Sequence, residues 1–177
     1  MSQSQARLIG VILLLLAGGL ILWLSRPRPA PLPWQGPRGG PWAIGKDLPD
    51  PRLTPGDVLT TDLRRICTPG YTKTVRNVPQ ALKEEVYREY GISQRKPGEY
   101  EVDHLISLEL GGSNSIRNLW PQSYLTKPLN AHVKDTLENT LHDLACSGKI
   151  SIQEAQRAIA ENWIEAYQKY VGPLPAR

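Results

Sequence analysis

The sequence contains one uninterrupted apolar run, residues 8–25 ("LIGVILLLLAGGLILWLS"), bounded by Arg7 and Arg26. A helix needs about 20 apolar residues in a row to cross the hydrocarbon core of a bilayer. Secretory signal peptides have shorter apolar cores of roughly 7–15 residues, followed by a small-residue cleavage site. The small residue after this run, Ala30, is followed by proline, which disfavours cleavage. We therefore predict an N-terminal tail and transmembrane anchor in residues 1–25; a cleaved signal is the alternative.

Residues 26–56 are rich in proline, with nine prolines interspersed with glycine, arginine and tryptophan. Proline has a fixed φ and no N–H donor, so this stretch predicts an extended, semi-rigid linker. The formal net charge of the chain is +4, but from residue 57 onward 15 Lys and Arg balance 15 Asp and Glu. The basic excess therefore belongs to the anchor flanks and the linker. It says nothing about what the folded domain, predicted for residues 57–177, binds.

The two cysteines, Cys67 and Cys146, lie far apart and form no C-x-x-C pair. This excludes a four-cysteine structural zinc site and fits one disulfide in an oxidising compartment; two buried free thiols are the alternative. Arginines crowd the C-terminal flank of the apolar run, which by the positive-inside rule would place the domain in the cytoplasm. The cysteine pair and the long linker instead favour a domain outside the cytoplasm. We predict a single-pass protein with an extracytoplasmic (periplasmic) domain, and a cytoplasmic domain stays open.

The remaining pattern predicts an α+β fold with a small antiparallel hairpin, flanking helices and one preceding transmembrane helix. Residues 66–78 alternate β-branched and polar side chains around a Pro-Gly turn, which predicts an extended pair. Strand-like stretches at residues 100–108 and 115–120 flank a Gly-Gly pair, which predicts the hairpin. Apolar residues spaced three and four apart, a capping box and glycine stops predict three helices. They cover residues 79–91, 130–146 and 151–170.

Three polar residues of the predicted hairpin are candidates for chemistry. Asp103 and His104 are neighbours, so they can face one ligand only where the strand ends or bends. An imidazole takes a proton from water at neutral pH, and a carboxylate beside it can hold a hard cation such as Mg²⁺. Asn118 lies on the returning strand, fourteen residues after His104. Its amide can fix the connecting loop and orient the imidazole.

The segment "VDHLISLELGGSNSIRNL" (residues 102–119) resembles the signature of the HNH endonuclease family, in which Asp-His precedes an apolar alternation, Gly-Gly and Asn-Leu. In that family the motif folds as a two-stranded hairpin packed on a helix, the ββα-metal core, with a single metal between them. The resemblance implies hydrolysis of nucleic-acid phosphodiester bonds, and we expect DNA as the substrate in preference to RNA. It implies one divalent ion, Mg²⁺ in the first place, with Mn²⁺ or another ion as alternatives. The zinc-binding cysteine pairs of many members are absent, which leaves their structural role to the disulfide.

The resemblance also implies roles for individual residues. His104 would act as general base on water, Asp103 would ligate the metal, and Asn118 would orient the hairpin loop. The third metal-site residue of the family lies at the start of the following helix, where both Asn130 and His132 qualify. Asn130 is preferred because it lies nearer the predicted N-terminus of that helix.

Three basic side chains are candidate contacts to the nucleic-acid backbone: Lys134 on the predicted helix, and Arg76 and Arg117 on predicted strands. Lys134 is also spaced i,i+4 from Glu138, as in a solvated ion pair. The alternative to a nuclease is a non-catalytic binding module, tethered in the envelope and retaining an HNH-like scaffold. The charge balance of the domain supports this alternative, because affinity for phosphates normally rests on Lys and Arg.

Overall fold

The structure, a computed structural model, describes residues 47–176. The predicted anchor at residues 8–25 and the linker up to residue 46 lie outside the described residues. Between residues 47 and 176, none of the helices has the length and apolar character needed to span a bilayer. The described part has an α+β architecture with one two-stranded antiparallel hairpin, as the sequence predicts.

Five α-helices, two β-strands and two short 3₁₀ helices make up the described part. In chain order they are α1 (Leu63–Ile66), α2 (Tyr71–Val75), α3 (Gln80–Glu89), β1 (Tyr100–His104), the 3₁₀ helices Leu108–Leu110 and Ile116–Asn118, β2 (Leu119–Ser123), α4 (Ala131–Cys146) and α5 (Ile152–Tyr170). The three longest helices, α3, α4 and α5, lie where their apolar spacing predicts. At the start of α5, the Ser151 hydroxyl accepts a hydrogen bond from the Glu154 amide at 3.1 Å, which confirms the helix start at this capping residue.

The hairpin is shorter than the sequence predicts. Strand β1 pairs with β2 from Tyr100 opposite Ser123 to His104 opposite Leu119. The predicted strands at residues 100–108 and 115–120 are therefore wrong at the loop ends of the hairpin. Alternating apolar residues normally mark a strand with one buried face, but here the loop that carries them is itself buried. Its four buried apolar side chains are those of Leu105, Ile106, Leu108 and Leu110.

The Gly-Gly pair of this loop does not make a tight two-residue turn between strands. Gly111 follows the first 3₁₀ helix with φ 78°, and a Cβ there would lie 2.2 Å from the Thr60 carbonyl oxygen. A Cβ at Gly112 would lie 1.8 Å from the Ile106 carbonyl oxygen. Both positions therefore require glycine because neighbouring backbone approaches them closely.

The extended pair predicted for residues 66–78 is wrong, because this stretch is helical. Asp62 caps α1 by accepting a hydrogen bond from the Arg64 amide at 3.1 Å. Gly70 has a left-handed conformation, with φ 82°, and starts α2. The Pro-Gly dipeptide thus separates two short helices and not two strands. Alternation over so few residues cannot distinguish these possibilities, and packing of Ile66 and Tyr71 into the core decides.

Helices α4 and α5 pack together and provide most of the apolar core. Leu137, Leu141, Ile159 and Trp163 are each fully buried. The predicted disulfide between Cys67 and Cys146 is present, and it joins the end of α1 to the last residue of α4. The disulfide therefore crosslinks α4, which contacts the hairpin, to the segment that precedes the hairpin in the chain.

Residues 47–56, which the sequence assigns to the linker, pack on the hairpin and on α5. The Thr54 hydroxyl donates to the Leu119 carbonyl at 2.8 Å, and the Trp163 indole donates to the Asp47 carbonyl at 2.8 Å. Thr54 is only 1% exposed. The packed domain thus begins before residue 57, because this segment hydrogen-bonds to the hairpin, to the loop before β2 and to α5.

Candidate catalytic site at the end of the hairpin

Asp103 and His104 are the last two residues of β1, opposite Trp120 and Leu119. The His104 residue is 3% exposed, and the Asp103 side chain is 16% exposed. Adjacent strand residues point to opposite faces, but these two end the strand, and the Asp103 charge still acts on the His104 imidazole. Each of the two side chains has its own hydrogen-bond network.

The His104 imidazole contacts an asparagine that the sequence prediction did not single out. Its Nε2 lies 3.1 Å from Oδ1 of Asn114, a residue of the loop between the strands. The Asn114 amide nitrogen donates to the Val75 carbonyl at 2.8 Å, and its Oδ1 accepts from the Asn77 backbone N–H at 3.1 Å. The Asn114 side chain therefore links the imidazole to the backbone at the end of α2.

Burial lowers the pKa of His104 below its ordinary value. The Asn114 hydrogen bond and the Asp103 carboxylate partly offset this, while the positive charges of Arg76 and Lys134 lower the pKa further. The imidazole is therefore neutral at neutral pH, as a general base must be before it accepts a proton.

The Asp103 carboxylate is held by a buried lysine on α4. Lys134 Nζ donates to Asp103 Oδ2 at 2.7 Å, to the His104 carbonyl at 2.8 Å, and to the Glu138 carboxylate. Lys134 is 0% exposed, and all three ammonium donors have acceptors. Lys134 therefore cannot contact a nucleic-acid phosphate here, and the prediction that it does is wrong. With Glu138 it forms a buried pair, because the helix face that carries both packs against the hairpin.

The charges of this network depend on each other. Burial by itself lowers the pKa of the Lys134 ammonium, but the neighbouring Asp103 and Glu138 carboxylates outweigh burial, so the pKa is raised. Burial raises the pKa of Glu138 above its ordinary value, although contact with Lys134 partly offsets this. One ammonium thus faces two carboxyl groups in a space with little water.

Asn118 is fully buried and holds the hairpin loop. Its Oδ1 accepts from the Ile106 N–H at 2.9 Å and from the Asp57 N–H at 3.3 Å. Its Nδ2 donates to the carbonyls of Ile106 at 3.0 Å and of Ser113 at 2.8 Å. The structure therefore places Asn118 as a residue that orients the loop, and all of its side-chain hydrogen bonds go to backbone groups rather than to the imidazole.

The two candidates for the third metal-site residue lie at the first turn of α4. The Asn130 side chain caps the helix, with Oδ1 accepting from the Val133 N–H at 3.2 Å. The His132 side chain is 73% exposed, lies 3.7 Å from the Asp135 carboxylate and packs against the Tyr124 ring. Neither of them hydrogen-bonds Asp103 in the described structure. The α4 side chain that does so is Lys134.

The other two predicted phosphate contacts, Arg76 and Arg117, are exposed. Arg76 directly follows α2, and its charge acts on His104. An exposed guanidinium within electrostatic reach of the imidazole is suitably placed for a phosphate group. Arg117 lies in the second 3₁₀ helix, and its carbonyl accepts from the Gly56 N–H at 3.0 Å.

The residues at Asp103 fit a weakly enclosed divalent ion and not a closed metal site. Oδ2 is taken by Lys134, whereas Oδ1 makes no hydrogen bond within residues 47–176. Mg²⁺ often binds through one or two carboxylates and otherwise through water and substrate phosphates, so one carboxylate oxygen is compatible with it. The described residues contain one group of three His, Cys, Asp or Glu side chains within ligand reach of each other: Cys67, His142 and Cys146. Its two sulfurs form the disulfide and are not thiolate ligands.

Asn114 and the burial of Lys134 are the features that sequence reasoning missed. Asn114 stands in "GGSNS", which is typical of a turn, and its contacts at Val75 and Asn77 come from a distant segment. The i,i+4 spacing of Lys134 and Glu138 is visible in the sequence, but it does not reveal which helix face is buried.

No family model matches the chain, and no significant match is found among curated proteins or solved structures.

Proposed function

We propose that this protein is a divalent-metal-dependent endonuclease that hydrolyses nucleic-acid phosphodiester bonds, with His104 as general base. The observation that carries the proposal is a buried, neutral imidazole, held by a hydrogen bond at one nitrogen, directly beside a partly exposed carboxylate. That pair stands at the end of a hairpin whose loop is locked by Asn118. General bases need this combination of fixed position and correct protonation state.

In the proposed reaction His104 accepts a proton from a water molecule, and the water oxygen forms a bond to phosphorus. The bond from phosphorus to the leaving oxygen breaks, and that oxygen takes a proton from solvent. The Asn114 amide oxygen and the Asp103 carboxylate stabilise the imidazolium that forms, because both favour the charged ring. A divalent ion bound through Asp103 would supply charge stabilisation at the scissile phosphate.

The substrate would be held by a few local cations and not by a large basic surface. From residue 57 onward the charges balance, at 15 Lys and Arg against 15 Asp and Glu. Arg76 is the exposed cation that acts on His104, so we assign it the phosphate next to the bond that is cleaved. Arg117 is a second, more distant candidate. DNA in preference to RNA is part of the proposal and rests on the family resemblance of the hairpin motif.

The test uses the full chain, purified in detergent, with supercoiled plasmid DNA and with RNA. Mg²⁺, Mn²⁺ and chelator are compared. We expect nicking of DNA that requires a divalent ion and that His104→Ala abolishes. The matched control is His142→Ala, the same substitution at a histidine beside the disulfide, which should nick like the wild type. A wild-type chain inert with every metal and substrate would overturn the proposal.

A non-catalytic binding module is the second candidate. The buried Lys134 favours it, because this lysine already neutralises one oxygen of the carboxylate that would hold a metal. Binding and cleavage separate the two candidates in one assay. A chain that shifts DNA on a gel but leaves it intact with Mg²⁺ and Mn²⁺ is a binding module.

A further inference from the structure

We propose that Asn114 is the positioning residue that keeps His104 in the Nε2–H tautomer, so that Nδ1 is the atom that receives the proton of the attacking water. This inference rests on the proposed function and specifies it. It assigns the orienting role to Asn114, a residue four positions before the Asn118 of the family motif.

The orientation of the Asn114 amide is set by two backbone groups. The Val75 carbonyl can only accept a hydrogen bond, so the atom 2.8 Å from it must be the amide nitrogen of Asn114. The Asn77 backbone N–H can only donate, so the atom 3.1 Å from it must be Oδ1. Both constraints give the same orientation, and a flipped amide would place like groups together at both contacts.

The amide orientation then determines the tautomer of the imidazole. Asn114 Oδ1 faces His104 Nε2 at 3.1 Å and has no hydrogen to donate, so Nε2 must carry one. A neutral imidazole carries a single N–H, and Nδ1 is therefore left with a free lone pair. Nδ1 makes no hydrogen bond within residues 47–176, and it is not among the fully buried unpaired atoms of that part. It is thus available to a water molecule.

Asn118 does not account for this arrangement. Its four side-chain contacts all go to backbone groups, those of Ile106, Ser113 and Asp57. Asn118 fixes where the loop runs, and Asn114 fixes the state of the ring. The two asparagines therefore have separable roles, although they stand in the same loop.

The tautomer can be observed directly by NMR, without any assay of activity. The chain contains three histidines, so the full chain in detergent with ¹⁵N-labelled histidine gives three imidazoles. His132→Ala and His142→Ala assign the spectrum by elimination. At a pH where His104 is neutral, we expect the pattern of an Nε2–H ring with an unprotonated Nδ1.

Two substitutions at Asn114 separate positioning from a merely structural role. Asn114→Asp keeps an oxygen opposite Nε2 but removes the donor to Val75, so it should keep the tautomer. Asn114→Ala removes the oxygen, so the two tautomers should mix and nicking should fall by about 10–100-fold, as for other residues that orient a reactive group. Asn77→Ala is the matched control, because Asn77 contributes only its backbone N–H. It should leave both the tautomer and nicking unchanged.

Three results would overturn the inference: an Nδ1–H ring in the wild type, an unmixed Nε2–H ring in Asn114→Ala, or equal mixing in the Asp and Ala variants. If Asn114→Ala does not fold, the wild-type spectrum and the Asp variant still decide. If the wild type has the Nε2–H ring but cleaves no nucleic acid, the nuclease proposal is overturned. The hydrogen bond by which Asn114 sets the tautomer of His104 would still be supported.

Discussion

The two residues at the end of β1 are held by networks of opposite character. His104 is held through neutral amides, with Asn114 bound to the imidazole and Asn118 locking the loop around it. Asp103 is held by charge, through the buried ammonium of Lys134, which also neutralises Glu138. Both networks use segments distant in sequence, the end of α2 for His104 and helix α4 for Asp103.

This difference shows how one strand end can support two requirements. A neutral hydrogen-bonded network keeps its geometry over a wide pH range, which suits a base whose ring must be oriented. A charged network holds a carboxylate by ion pairing, and it weakens when one of the paired groups gains or loses its proton. Substitutions in the two networks should therefore differ in how their effect on stability depends on pH.

The largest effect is expected from Lys134→Met. Removing one partner of a buried ion pair leaves uncompensated charge and typically lowers the free energy of unfolding by about 3–5 kcal/mol. Without the ammonium, Glu138 loses the contact that partly offsets its burial, so its pKa in the folded variant rises further above its ordinary value. The folded variant then binds more protons than the unfolded chain, so its stability is highest at acid pH and falls as the pH rises.

Urea unfolding of the wild type and of Lys134→Met at about pH 5 and about pH 8 measures this. The stability deficit should be larger at the higher pH. Lys149→Met, at an exposed lysine, is the matched control and should change stability by less than about 0.5 kcal/mol. A deficit that is the same at both pH values would show that Lys134 does not neutralise the carboxylates.

The second largest effect is expected from Asn118→Ala. It leaves the backbone N–H and carbonyl of Ile106 and the carbonyl of Ser113 without their buried partner. The cost should be on the order of 3 kcal/mol, since each buried unsatisfied group costs about 1–3 kcal/mol and neighbouring losses overlap. The hydrogen bonds of Asn118 all go to backbone groups, which do not titrate, so the loss should be nearly equal at both pH values. Asn139→Ala on the exposed face of α4 provides the comparison, and a loss at Asn118 no larger than there would contradict the role.

A smaller effect is expected at Asn130, where the structure shows a helix cap. Asn130→Ala should destabilise the protein by about 1 kcal/mol, whereas Asn130→Ser keeps a capping oxygen and should be nearly neutral. Nicking by the Ser variant distinguishes a cap from a metal ligand. We expect its dependence on Mg²⁺ concentration to match that of the wild type. A requirement for much more Mg²⁺ would make Asn130 the third metal-site residue.

The smallest effect is expected from His132→Ala. This side chain is 73% exposed and belongs to neither network. Its replacement should change the free energy of unfolding by less than about 0.5 kcal/mol and leave nicking unchanged. A loss of nicking of tenfold or more, with stability intact, would place His132 at the metal in preference to Asn130.

The sequence alone predicts much of this architecture. The three long helices follow from apolar spacing and from the Ser151 capping box, because a helix that covers a core must repeat its apolar residues every three or four positions. The disulfide is predicted from two isolated cysteines, and the loop-fixing role of Asn118 from its place on the returning side of the predicted hairpin. These features depend on local sequence spacing, or on residue types such as cysteine that have few structural roles.

Tertiary structure decided the rest. Whether residues 66–78 form strands or short helices depends on how Ile66 and Tyr71 enter the core, because a short alternation is compatible with both. The sequence predicts that Lys134 is a surface cation, because it does not show which face of α4 packs on the hairpin. The partner of His104 could not be predicted, because Asn114 is oriented by backbone groups at the end of α2, a segment remote in sequence. The sequence by itself determined which residue types stand at the end of β1; packing determined which of their atoms are held and which stay free.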